Sequence, residues 1–116
     1  EKKLKKYNHF ITLPKKYKKS IPSWFGFLIK VKSESPFKRN DLVFFLEKNK
    51  VATRMLFAGN LTKQPAYLNQ NHRVIGNLKN TNSLMDNAFW IGVYPGLTED
   101  KLEYIIEVFD KFFKKF

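Results

Sequence analysis

Three short segments in which apolar side chains alternate with other residues constrain the fold of this chain most. They are FGFLIKV at residues 25–31, VATRMLF at 51–57 and FWIGVY at 89–94. Successive side chains of a strand point to opposite faces, so each segment predicts a strand with one buried face. The chain must therefore build a small sheet and cover one side of it.

Helical patterns follow the first and third of these segments. A short helix is predicted to enter at Ser35-Pro36 and to close at Asn49 in a left-handed conformation. The second helix begins after Thr98, its expected N-cap, and its predicted buried stripe contains Leu102, Ile105, Ile106, Phe109 and Phe113. The order of elements predicts an α/β fold of the α+β type. Its two-layer sandwich has a small, largely antiparallel sheet of three to four strands with helices on one face.

Residues 1–21 are interpreted as a basic linker that contains the end of an interdomain helix. Eight of the 22 lysine and arginine residues fall within the first 19 positions, and the net charge of the chain is +12. A solvated linker is the favoured interpretation, and residues 22–116 are then the folded domain. The alternative is a small basic module that binds nucleic acid or an anionic surface, although nucleic acid is the less favoured partner.

The composition excludes several kinds of chemical site from this sequence. The sequence has no cysteine, so disulfides, thiolate metal sites, iron–sulfur ligation and thiol nucleophiles are absent from it. The two histidines, His9 and His72, lie in polar surroundings, and we predict neither a metal site nor a catalytic residue. No apolar run approaches the roughly 20 residues of a membrane-spanning helix, so a cytoplasmic location is expected.

The candidate site lies at the end of the second predicted strand and in the polar loop after it. Arg54 interrupts an otherwise apolar strand, where it either binds an anion or forms a surface ion pair. Gly59-Asn60 predicts a sharp turn, and the irregular residues 59–79 form a long loop with one helical turn near residues 65–68. The candidate residues are Arg54, Phe57, Gly59, Asn60 and Gln64. The aromatic residues Trp24, Phe25, Trp90 and Tyr94 are interpreted as core or interface area.

Four sequence blocks carry a family resemblance: SWFGF at 23–27, TRMLFAGNLTKQPAY at 53–67, RVIGNL at 73–78 and FWIGVYPGLTED at 89–100. With them the chain resembles the C-terminal small domain of the CDP-4-keto-6-deoxyglucose-3-dehydrases of lipopolysaccharide biosynthesis. These enzymes belong to the DegT/DnrJ/EryC1/StrS family of sugar aminotransferases and dehydrases, which have the type I fold of pyridoxal-phosphate enzymes. The sequence departs from the wider class at Lys50-Val51 and at Asn82-Ser83.

The resemblance implies a homodimeric enzyme whose large domain holds pyridoxamine or pyridoxal 5′-phosphate, a histidine in place of the Schiff-base lysine and, in some types, a [2Fe–2S] cluster. This chain would then be inactive alone and would cover the cofactor cleft. Arg54 matches the arginine of the family's T-R-x-L-F-A-G-N block. We expect Arg54 and Asn60 to hold the anion of a nucleotide sugar or of the cofactor. A sugar aminotransferase remains an alternative, because the deciding His or Lys lies outside this sequence.

Overall fold

A computed structural model describes all residues, Glu1–Phe116, and contains one four-stranded sheet and three α-helices. The strands are β1 (Ile11–Thr12), β2 (Gly26–Val31), β3 (Thr53–Met55) and β4 (Ala88–Gly92). The helices are α1 (Arg39–Lys48), α2 (Lys79–Asn87) and α3 (Glu99–Phe113), and short 3₁₀ segments occupy Lys2–Tyr7, Leu61–Lys63 and Pro65–Tyr67. No helix combines the length and the apolar character that crossing a bilayer requires.

The sheet has the spatial order β1-β2-β4-β3, and every neighbouring pair is antiparallel. In the central pair, Phe27 lies opposite Ile91 and Ile29 lies opposite Phe89. Direct cross-strand partners share one face of a sheet, so these four side chains form a continuous apolar surface. The predicted α/β fold with a small antiparallel sheet is confirmed.

The core lies between this surface and the helices α1 and α3. Phe89 and Phe109 are its largest fully buried side chains. Burial of a large apolar side chain stabilises a fold by about 1.5–3 kcal/mol, so this cluster is the main source of stability. The other buried members from the central strands and these two helices are Ile29, Val31, Leu42, Leu46, Ile91, Val108, Phe112 and Phe113.

The segment before Pro14 belongs to the folded core, which corrects its interpretation as part of a linker. Leu4 is only 2% exposed, and Ile11 pairs with Val31 to add the fourth strand. The Tyr7 ring stacks on Phe113 with 4.2 Å between centroids. A strand of two residues is too short to show a period of two, which is why the sequence pattern missed it. Residues 15–25 are largely solvent-accessible.

Helix boundaries differ from the prediction in three places. Helix α1 begins at Arg39, with Lys38 as its N-cap, and not at Ser35-Pro36. Asn49 has φ −94°, and the left-handed residue after α1 is Lys50, with φ 61°. The Asn49 side chain instead donates to the carbonyl oxygen of Phe45 at 2.8 Å, and the backbone N–H of Asn49 donates to the same oxygen at 3.2 Å. Helix α2 begins at Lys79 and ends at Asn87, whereas the sequence predicts a shorter helix that Asn80 or Thr81 caps and that runs through Met85.

Candidate functional site

The face of the sheet opposite the core carries the candidate site. Trp90 pairs with Leu28 on one side and with Arg54 on the other. These three side chains therefore form a row across β2, β4 and β3 on the face that Phe89 and Ile91 do not use. The sheet thus presents a charged group and an indole ring side by side, away from α1 and α3.

A groove of about 370 Å³ lies on this open face. The Trp90 ring contacts Phe25 at 5.1 Å and meets Phe57 edge-on at 4.8 Å, measured between centroids. Phe25 and Phe57 are 78% and 77% exposed, so the groove has apolar walls that no part of the chain covers. Its lining residues are Phe25, Gly26, Arg54, Met55, Phe57, Trp90, Ile91 and Gly92.

Gly26 allows the indole ring of Trp90 to lie directly on the backbone of β2. A Cβ atom at position 26 would stand 3.0 Å from both Cδ2 and Cε3 of Trp90. Real Cβ atoms essentially never come closer than that, so any larger residue at position 26 would push against the ring. The shape of the groove floor therefore depends on this glycine.

The Arg54 guanidinium has no partner within the chain. It forms no hydrogen bond and no ion pair, and its side chain is exposed. The nearby carboxylate of Glu47 accepts hydrogen bonds from the hydroxyl of Thr53 at 2.7 Å and from its backbone N–H. These bonds, with a smaller contribution from Arg54, lower the pKa of Glu47 below its usual value. The alternative of a surface ion pair is therefore not seen, and the N–H donors of Arg54 are available to an anion.

The turn after β3 holds the Phe57 ring against the groove. Phe57 adopts φ 37°, a left-handed backbone conformation that is unfavourable for residues other than glycine. Its backbone N–H donates to the carbonyl of Met55, and Gly59 N–H donates to the carbonyl of Leu56. The fold thus tolerates a strained backbone at a residue whose side chain lines the groove.

Asn60 points into the protein and away from the groove. It is 3% exposed and is the single buried polar residue of the chain. Its Nδ2 donates to Oδ1 of Asn82 at 2.7 Å, and its Oδ1 accepts from the backbone N–H and the hydroxyl of Thr62. The expectation that Asn60 holds an anion together with Arg54 is therefore corrected: its polar atoms bind other residues of the chain.

The five predicted residues separate into two groups. Arg54 and Phe57 line the groove, whereas Gly59, Asn60 and Gln64 form the turn beside it, where Gln64 donates to the carbonyl of Ala58. Phe25 and Trp90 complete the groove. In the sequence, Trp90 lies between Phe89 and Ile91, so strand alternation predicts that its side chain lies on the face opposite to theirs.

The groove can bind a ligand but has no group for acid–base or nucleophilic chemistry. Its lining contains no lysine, histidine, carboxylate or hydroxyl side chain. No cluster of three or more histidine and carboxylate side chains is arranged to hold a metal ion anywhere in the chain. A planar guanidinium beside aromatic rings suits an anionic oxygen next to an apolar or ring-shaped group.

Comparison with curated proteins finds two relatives that match nearly the whole chain. The chain is 48% identical over 110 residues to the lipopolysaccharide biosynthesis protein RfbH of Salmonella typhimurium, and the alignment covers 95% of this chain and 25% of that protein. It is 40% identical over 105 residues to the dTDP-4-dehydro-2,6-dideoxy-D-glucose 3-dehydratase of Saccharopolyspora spinosa, covering 90% of this chain and 23% of that enzyme. The chain therefore spans about a quarter of the length of these relatives.

Solved structures with the same fold include dehydratases and aminotransferases. The E. coli GDP-4-keto-6-deoxy-D-mannose-3-dehydratase with bound hydrated PLP aligns with a TM-score of 0.76 and 26% identity, over 91% of this chain and 28% of its own. The aminotransferase from Psychrobacter cryohalolentis aligns with a TM-score of 0.83 over 98% of this chain and 31% of its own. At 17% identity, that second likeness shows the fold alone.

The model of the DegT/DnrJ/EryC1/StrS aminotransferase family matches residues 1–110, which include all four strands and most of α3. The same residues contain the open sheet face, the groove and the turn beside it. By this match over nearly its whole length, the chain belongs to the DegT/DnrJ/EryC1/StrS aminotransferase family.

Proposed function

We propose that this chain is the C-terminal small domain of a nucleotide-sugar 3-dehydrase that acts in deoxysugar and lipopolysaccharide O-antigen biosynthesis. Its open sheet face would cover the active-site cleft of the complete enzyme. The observation that carries this proposal is the unpaired guanidinium of Arg54, which stands beside Trp90 in a groove with exposed aromatic walls. The names of the two curated relatives support the choice of a dehydrase.

The residues of this chain would bind and enclose the substrate. Arg54 offers two parallel N–H donors to a phosphate or carboxylate group, which fixes the orientation of that group as well as attracting it. Phe25, Phe57 and Trp90 would exclude water from one side of the cleft. Exclusion of water lowers the local dielectric constant, so the attraction between Arg54 and an anion becomes stronger.

The groove does not fit a pyridoxal-type cofactor as its main binding site. Such a cofactor takes an amine or imidazole beside its reactive carbon and a carboxylate beside its ring nitrogen, and the groove lining has neither. Pyridoxamine or pyridoxal phosphate would therefore be held by a large domain outside this chain, as would any [2Fe–2S] cluster. A homodimeric assembly of the complete enzyme is part of the same proposal.

A sugar aminotransferase is the second candidate, supported by the family name. The basic binding module receives less support. Lys3 pairs with Glu103 at 3.3 Å and Lys6 pairs with Asp110 at 3.0 Å, so part of the lysine excess holds the N-terminal segment on α3. These contacts favour a structural part of an enzyme over a free basic arm.

The test uses the full-length enzyme with CDP-4-keto-6-deoxyglucose as substrate. Loss of charge-assisted hydrogen bonds typically costs about 1.5–3 kcal/mol, so Arg54→Ala should raise KM roughly 10- to 150-fold. Arg54→Lys should recover only part of this loss, because an ammonium group cannot form the bidentate contact. Lys111→Ala, an exposed change on α3, is the matched control and should leave KM unchanged.

Two outcomes would decide against this proposal. An unchanged KM with a lowered melting temperature in Arg54→Ala would make Arg54 a structural residue. Identification of the product separates the two enzyme classes. Loss of the 3-hydroxyl supports the dehydrase, whereas transfer of an amino group from glutamate to the sugar with that hydroxyl retained supports the aminotransferase.

A further inference from the structure

We propose that Asn82 is a positioning residue, and that its hydrogen bond to Asn60 is a latch that fixes the loop beside the groove. This inference rests on the proposed function, because its consequence is tighter binding of the nucleotide sugar. The latch joins two side chains that are 22 positions apart, with 2.7 Å between Nδ2 of Asn60 and Oδ1 of Asn82. No motif or periodicity in the sequence pointed to Asn82 as part of the site.

The latch is built at the base of the loop formed by residues 61–77. Asn82 and Met85 lie three residues apart on α2 and therefore on the same side of that helix. Met85 contacts the chain just before the loop: its Sδ accepts from the backbone N–H of Asn60 at 3.4 Å. A Cβ atom at Gly59 would lie 2.6 Å from Cγ of Met85, so only glycine permits this approach. Helix α2 thus contacts the chain closely at Gly59 and Asn60, through Met85 and Asn82.

The rest of the loop has few contacts of its own. Its two 3₁₀ turns, Leu61–Lys63 and Pro65–Tyr67, pack mainly against each other, and Leu68, Val74 and Ile75 are exposed. We therefore infer that the order of residues 61–77 depends on the contacts at the base of the loop, which Asn60, Asn82 and Met85 form. The Asn60 side chain also accepts from Thr62, so one buried amide orders both the entry to the loop and its first turn.

The latch is connected to the groove through a short stretch of chain. Phe57, whose ring meets Trp90 at 4.8 Å, is three residues before Asn60 and has a strained backbone. A strained conformation persists only when the surrounding contacts hold it. If the latch opens, the turn at residues 57–60 can relax and carry the Phe57 ring away from Trp90. One wall of the groove would then be lost.

The experiment compares three substitutions on α2 in the full-length enzyme. Asn82→Leu removes the acceptor and leaves the buried Nδ2 of Asn60 without its partner. Asn82→Asp retains an acceptor oxygen at that place. Asn80→Leu is the matched control, because Asn80 is exposed on the same helix and its side chain forms no hydrogen bond. Should Asn82→Leu fail to fold, Asn82→Ala replaces it as the smaller change.

The first measurement is hydrogen exchange at the backbone amides of Thr62 and Lys63, which bond to Oδ1 and to the carbonyl of Asn60. We expect exchange to be roughly 5- to 100-fold faster in Asn82→Leu, as the loss of one buried hydrogen bond implies, and unchanged in Asn82→Asp and Asn80→Leu. The second measurement is the KM for CDP-4-keto-6-deoxyglucose, which should rise in Asn82→Leu alone while kcat changes less.

Each result has a distinct meaning. Unchanged exchange in Asn82→Leu, or equal acceleration in Asn80→Leu, overturns the latch. Faster exchange with an unchanged KM overturns the positioning role and leaves an ordinary structural bond. The proposed function fails separately, in the Arg54→Ala experiment, and the exchange measurement is independent of any substrate.

Discussion

Arg54 and Trp90 are direct cross-strand partners in the β3–β4 ladder, so a guanidinium and an indole ring project from the same face of the sheet. The opposite face of the same two strands contacts the core through Ile91 and Phe89. The sheet therefore lies between the site and the packed helices, and its other face forms one side of the core. A binding group in that position has a direction set by strand pairing, not by a mobile loop.

The position of Trp90 should depend on the glycine beneath it. Gly26→Val is expected to displace the indole, because the added Cβ would meet the ring at 3.0 Å, and such overpacking typically costs about 1–3 kcal/mol. Gly92→Val is the control, since nothing lies within 4 Å of its Cβ position and valine suits a strand. Fluorescence of Trp90 in a Trp24→Phe background should shift in the first variant only. Identical spectra in both variants would contradict the close contact.

The two glycines with left-handed backbones should respond differently to alanine. Gly59 has φ 63° and Gly76 has φ 72°, so both substitutions introduce the same backbone strain of about 1–2 kcal/mol. At Gly59 the new methyl group also collides with Met85, whereas nothing lies within 4 Å at Gly76. Gly59→Ala should therefore lower the free energy of unfolding by about 1–3 kcal/mol more than Gly76→Ala does, as urea denaturation can measure. Equal losses would show that Met85 moves aside freely.

The N-terminal segment should contribute to stability as a part of the core. Leu4→Ala is expected to lower the free energy of unfolding by about 2–5 kcal/mol, the usual loss for a fully buried leucine. Lys2→Ala changes an exposed residue of the same 3₁₀ segment and should stay within about 0.5 kcal/mol of the parent. Denaturation curves of the two variants provide the measurement. If Leu4→Ala lowered the free energy of unfolding no more than Lys2→Ala does, the N-terminal segment would be a linker and not part of the core.

The contact between Tyr7 and Asp110 should make stability depend on pH in the acid range. Partial burial opposes ionisation of Asp110, but hydrogen bonds from Tyr7 at 2.7 Å and from Lys6 prevail and lower its pKa below the ordinary 3.8. The folded chain thus releases this proton more readily than the unfolded chain. The resulting stability is complete above about pH 4 and is lost as the pH falls through the folded pKa.

The variant Asp110→Asn tests this dependence. At neutral pH it should be less stable than the parent by about 1–2 kcal/mol, a reduced figure because the carboxylate side chain is 26% exposed. The difference should shrink as the pH falls below about 4. Glu107→Gln, on the exposed side of α3 and without an ion pair, is the control and should show no such trend. A stability difference that stays constant at low pH would exclude Asp110 as its source.

The sequence predicted those elements whose pattern is long enough to show a period. Strands β2 and β4 and helix α3 have clear alternation or a clear stripe, and the 3₁₀ turn at Pro65–Tyr67 follows from proline at its start. Strand β1 has two residues and owes its existence to pairing with Val31, so no local pattern could reveal it. Lys50 takes the left-handed conformation expected of Asn49 because the last turn of α1 ends one residue later than the side-chain preference suggested.

The site was predictable in part for similar reasons. A lone arginine on an apolar strand is visible in the sequence, and Arg54 does line the groove. Both faces of β4 carry large apolar side chains, however, so alternation separates Trp90 from Phe89 and Ile91 but does not show which of the two faces the helices cover. The inward direction of Asn60 depends on Asn82, far away in the sequence, and a local reading of Gly59-Asn60 shows only a turn.

The hydrogen bond between Tyr7 and Asp110 joins residues 103 positions apart, and Leu4 is buried in the same core as Val108 and Phe109. Protein synthesis proceeds from the N-terminal end, so Leu4 and Ile11 emerge from the ribosome long before the helix that covers them. Contacts of such large sequence separation also form slowly, because a long stretch of chain must close before they are made. This domain can complete its core only after α3 has been translated, and until then its earliest apolar residues depend on provisional partners or on chaperones.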